Sequence, residues 1–185
     1  MPFDPKAYGT QITEILALDQ SGHRLIPLIS GVCSSERARK LLKEQGALNL
    51  FPQARAPREA LGGLWLNFSC FDEGHEIVQD LNSPEANFWH AILHRQEPDA
   101  GNSAYWFRRV GGHSVFPDLM AAAKDIVARH PNSGFPMAAK WDPFSFVDFC
   151  EKARKEPGSV SECAALEIQR AEWQLLFDYC ARPRS

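Results

Sequence analysis

Asn87, His90, His94 and Glu97 recur at steps of three and four residues, beside an apolar face made by Phe88, Trp89, Ile92 and Leu93. Two imidazoles at i and i+4 point the same way from a helix and can grip one divalent ion. Glu97, three residues beyond His94, can reach the same point as a third ligand or as a general base. The preceding segment offers another imidazole. Its apolar stripe of Leu61, Leu64, Trp65 and Phe68 continues into Asp72, His75 and Gln79. His75 and His90 are nearly equidistant from the break at Asn82-Ser83, so an antiparallel helix hairpin would set His75 level with His90 and His94. Three neutral imidazoles with an open fourth position suit a catalytic zinc ion, and also nickel or iron. The expected cofactor is therefore a divalent metal ion, zinc first. No H-E-x-x-H occurs, because Ala91, Ile92 and Leu93 separate the two histidines, and this disfavours a zincin protease. A plainer reading puts His90 and His94 on a solvated flank and makes His75 a core histidine bonded to a carbonyl or to Asp72.

Residues 94–113 (HRQEPDAGNSAYWFRRVGGH) crowd charge and aromaticity into one connector and short helix. Arg108 or Arg109 can clamp a carboxylate or phosphate through the planar guanidinium fork. Arg95 and Asn102 are further substrate-binding candidates, Trp106 a pocket wall, and Tyr105 a proton donor. His113, after Gly111-Gly112, can serve as a ligand or as an acid–base group. The alternative is structural: Arg95 and Arg109 pair with Glu97 and Asp99 to pin a turn, Trp106 is core, and His113 bonds carbonyls at a helix end.

The elements that must position these groups are helical. Ser34 can cap a helix through about Gln45, stopped by Gly46. Pro57 begins a long helix to about Leu81, in which Gly62 and Gly63 mark a kink or a close helix contact. Ser83-Pro84-Glu85 starts the histidine helix, which ends by Glu97 ahead of Pro98. A short helix runs from Asn102 or Ser103 to Val110, and others start near Pro117 and at Asp142-Pro143. Ser159-x-x-Glu162 is a capping box for the last, to about Ala181. Residues 11–29 read either as a hairpin around Asp19–Gly22 or as a short helix followed by an extended piece. The expected architecture is mainly α: one globular domain over residues 1–185, a compact bundle of six to seven helices with residues 1–10 as an arm and a short N-terminal hairpin as one option.

A chain of 185 residues, 44% hydrophobic and 23% charged, suits one soluble domain with a sizeable core. A net charge of −3 supplies no basic field for nucleic acid or anionic membrane. The basic helix 36–45 mixes signs and reads as a solvated face. No stretch approaches the roughly 20 apolar residues of a membrane span, and the first residues lack a secretory pattern. Five cysteines without a C-x-x-C spacing point to reduced, mostly buried thiols and a cytoplasmic location. The expected partner is a small-molecule ligand or substrate, with a homodimer as a further candidate.

At WHAILHRQEPDAGNSAYWFRRVGGH (residues 89–113) the chain resembles a set of uncharacterised bacterial and fungal proteins sharing W-H-[AG]-I-x-H-R-x-E-P-D-x-x-N-[AS]-x-Y-W-F-R-x-x-G-x-H, a match that covers mainly residues 65–113 and more loosely the C-terminal helix. The resemblance supports this region as the site and implies no reaction. Architecture alone is similar to helical-bundle metalloproteins with three-histidine sites, such as the DinB-like group, although the ligand spacing differs. The expectation drawn from the residues is a small metal-dependent helical enzyme, hydrolase- or lyase-like, acting on a small polar, anionic substrate. Its alternatives are a metal-free binder of a nucleotide or organic acid, and a structural or interaction protein.

Overall fold

The computed structural model describes residues 3–183, and every regular element among them is helical. Ten α-helices occur there: α1 (Thr10–Leu16), α2 (Glu36–Glu44), α3 (Ala47–Leu50), α4 (Pro57–Asn67), α5 (Phe71–Val78), α6 (Pro84–Gln96), α7 (Ala100–Val110), α8 (Phe116–Arg129), α9 (Pro143–Ala153) and α10 (Val160–Ala181). Six to seven helices was thus an undercount. One extra helix is α1, which replaces the hairpin option with the helix-then-extended alternative for residues 11–29. A second is the single turn α3. The third arises because the long helix expected from Pro57 breaks at Ser69.

That break has a definite physical form. Ser69 adopts a left-handed φ of 54°. Its N–H bonds the Leu66 carbonyl at 2.9 Å, and the Cys70 N–H bonds the Trp65 carbonyl at 3.0 Å. This paired closure satisfies the last carbonyls of α4 and is the Schellman arrangement, here built on serine instead of glycine. The chain restarts at once as α5 in a new direction. Cys70, at the start of α5, is disulfide-bonded to Cys33, 37 residues earlier. The expectation of five reduced thiols is corrected by this bond. It had rested on local spacing, and the partner comes from a distant loop. It also removes the cysteine ground for a cytoplasmic location.

The helix starts follow from their caps. Ser83 Oγ accepts from the Ala86 N–H with Pro84 in the first turn, the Asp99 carboxylate from Asn102, and Ser159 Oγ from Glu162. The core forms two clusters that share α10. Its N-terminal half packs Ala164, Ala165 and Ile168 against α8 and α9. Its C-terminal half packs Trp173, Leu176 and Phe177 in the cluster that also holds α4 and α6. Gly63 permits a close helix approach: a Cβ there would lie 2.7 Å from the Trp89 ring, and its carbonyl accepts from Trp173 Nε1 at 2.7 Å. The segment expected as an arm turns back on α10, with Phe3 5.5 Å from Trp173 between ring centroids. No helix among the described residues is long and apolar enough to cross a membrane.

Candidate metal centre

The α5–α6 connection folds the two helices back on each other, and the three histidines meet. His75 Nε2 lies 3.0 Å from His90 Nε2. One nitrogen from each of His75, His90 and His94 falls within 4.8 Å of the others. Ligands at about 2.05 Å in a tetrahedral site stand about 3.3 Å apart, so modest ring rotations would close the cage. His90 and His94 are buried, at 4% and 8% exposure, and His75 is partly buried, so the group opens on the α5 side. Position rather than helix continuity brings His75 there: α4 and α5 are separate, yet the register about the Asn82-Ser83 turn holds. α5 is itself tied down by Arg39 and Lys43 of α2, which pair with Glu73 at 2.6 and 3.2 Å.

The neighbours of the three rings are specific. Glu97 Oε2 is 2.8 Å from His94 Nδ1. A carboxylate there holds the proton on Nδ1 and leaves Nε2 with its lone pair, the usual way a ligating histidine is oriented. The Asn102 amide nitrogen lies 3.1 Å from His94 Nε2, so an incoming ion would displace that contact. Trp106 stacks on His90 at 3.9 Å between centroids. Burial, then repulsion from His75 and His94, pushes His90 down to about 3. Burial, followed by the neighbouring His94, also lowers His75. Both rings are therefore neutral near pH 7, the form that binds a metal.

Of the remaining predicted residues, some gather at this centre and others do not. Arg109 is exposed, with Nε 3.5 Å from Asn87 Oδ1 and its guanidinium 5.3 Å from the Trp106 ring. Tyr105 is exposed and meets Trp106 edge-on. Arg108 points to the Phe144 ring at 5.9 Å, on the α9 side. Arg95 is a correction. It is fully buried, ion-paired to Glu172, hydrogen-bonded to Gln169 at 3.3 Å and stacked over Phe146 at 4.6 Å. A guanidinium so enclosed has no path to a substrate. Its partners are also not Glu97 or Asp99, as the structural alternative had it. His113 is a second correction: it packs among Phe88, Phe116 and Tyr179, outside the three-histidine group. The sequence reading missed Gln169 and Glu172. Their signal was available, since polar residues stand between Ile168 and Trp173 on the inward seam of α10.

Compared with protein-family models, curated proteins and solved structures, the chain matches none.

Proposed function

We propose that the chain is a small metal-dependent enzyme, hydrolase- or lyase-like, whose divalent ion is held by His75, His90 and His94 and whose substrate is small, polar and anionic. The observation that carries this reading is the convergence of three imidazoles from two helices within 4.8 Å, two of them on a buried face. A bound zinc ion would supply Lewis-acid polarisation of water or a carbonyl. Glu97 orients His94, which makes it a positioning residue here instead of the general base expected from spacing. Trp106 walls one side of His90. Arg109 is exposed beside Trp106, where a guanidinium favours the negative charge of an incoming group.

A metal-free binding module is the second reading, and a particular feature favours it. The 3.0 Å contact between His75 and His90 is itself a hydrogen bond, and Glu97 and Asn102 serve His94, so the rings find partners without an ion. Elemental analysis of purified, untagged protein separates the two. The metal reading expects one ion per chain, lost in His90→Gln and His94→Gln with the helical spectrum intact. Absence of metal after purification, together with no uptake of zinc or cobalt at micromolar concentrations, would overturn it in favour of the metal-free binder.

A further inference from the structure

A concavity lined by none of the three grouped histidines lies where the starts of α4 and α6 meet the end of α10. Its volume is about 640 Å³, within the range of small-molecule sites. Its wall carries both signs of charge: Arg55, Arg58, Glu59 and Glu85, with Ser83 and Tyr179 between them. Mixed charge on a protein surface normally pairs off. Here no ion pair within 4.0 Å joins these four groups to one another among the described residues. Arg55 instead stacks on the Tyr179 ring at 4.1 Å, which fixes the guanidinium plane.

The acids are held in place from behind. Glu59 is 8% exposed and takes one hydrogen bond, from Ser83 Oγ at 2.6 Å. Glu85 has the His113 imidazole at its back, with Nε2 3.8 Å away and the His113 side chain 4% exposed. That separation is an electrostatic contact and too long for a hydrogen bond. His113 Nδ1 accepts the Val115 N–H at 3.3 Å, so the ring proton sits on Nε2, facing Glu85 and otherwise without a partner. His113, followed by smaller contributions that include Arg55, holds the Glu85 carboxyl below the usual carboxylate range. A buried donor thus faces a cavity carboxylate that, among the described residues, has no Lys or Arg ion-paired to it within 4.0 Å.

We infer that this cavity binds a small zwitterion of the α-amino acid class, its ammonium received by Glu85 and Glu59 and its carboxylate by Arg55 and Arg58. Two guanidiniums recognise a carboxylate in their plane, and two carboxylates accept the donors of an ammonium. A ligand with only one of these charges would leave the opposite wall unanswered. His113 acts here as a positioning residue, and the site does not depend on the metal centre.

Calorimetric titration of the intact protein with L-alanine, L-leucine and L-glutamate, against propylamine and propionate as single-charge probes, tests the inference. At least one amino acid should bind saturably, and both single-charge probes about tenfold or more weaker. Glu85→Gln and Arg58→Gln should each weaken the amino acid about tenfold or more, with the histidine metal content unchanged. Arg58 is exposed, so its replacement keeps the test valid should the Glu85 variant fold poorly. No saturable binding of any amino acid at millimolar concentration, or equal binding of propylamine or propionate, would overturn the inference. So would unchanged affinity in the Arg58 variant.

Discussion

Replacing Glu172 by Gln should cost this protein several kilocalories, although the change is nearly isosteric. Arg95 and Glu172 are both 0% exposed and face each other across α6 and α10. Glutamine keeps the volume and a carbonyl acceptor but removes the only carboxylate that, among the described residues, is bonded to the Arg95 guanidinium. An uncompensated buried charge of this kind costs about 3–5 kcal/mol. For 185 residues, at about 2.1 cal/mol/K of unfolding entropy each, that corresponds to a fall in Tm of about 8–13 °C. Removing both charges, as Arg95→Met with Glu172→Leu, should instead leave Tm near the wild-type value or above it, because the desolvation penalty goes with the pair. Methionine also keeps apolar contact with Phe146. Differential scanning calorimetry of the three proteins reads the difference, and metal content of the paired variant reads the site. If Glu172→Gln melts within about 2 °C of wild type, the pair is not dry and the reasoning fails. If the paired variant folds but takes up no metal, Arg95 acts on the site after all.

Other outcomes are equally specific. Because burial sets His90 below its unfolded value near 6.5, its share of stability is complete above that pH and is lost as pH falls toward about 3. In chelator, Tm against pH should therefore drop less steeply over that window for His90→Gln than for wild type; parallel curves would refute the assignment. Gly63→Ala should destabilise by about 1–3 kcal/mol in denaturant melts, since its Cβ would press on Trp89 and Phe177. Thiol titration of the denatured, unreduced protein should find only Cys150, Cys163 and Cys180 reactive, rising to all five cysteines after reduction. Glu97→Gln should weaken metal binding about tenfold or more without abolishing it, measured by competition with a chromophoric chelator.

The histidine convergence was legible because it depends on two local facts: the i,i+4 spacing of His90 and His94, and the equal distance of His75 and His90 from a turn marked by Ser83-Pro84. Neither requires long-range knowledge. The caps at Ser83, Asp142 and Ser159 were legible for the same reason. The break at Ser69 was not, because serine carries no glycine-like preference for positive φ, and its closure depends on where α5 packs. Arg95 misled because a guanidinium in a polar run looks like a ligand-binding group until its distant partner, Glu172, is known. The Cys33–Cys70 bond and the cavity of Arg55, Glu59 and Glu85 were hidden in the same way. Each joins segments far apart in the chain whose neighbourhoods say nothing of one another.

The divided service of α10 carries a consequence for how the molecule comes apart. One helix furnishes interior wall to both halves, so neither lobe owns a complete interior. A fragment ending before Val160 would present two raw apolar faces at once, and a break confined to one lobe would withdraw the shared spine from the other. Melting should accordingly proceed as a single event, with the histidine region and the cluster of α8 and α9 surrendering together.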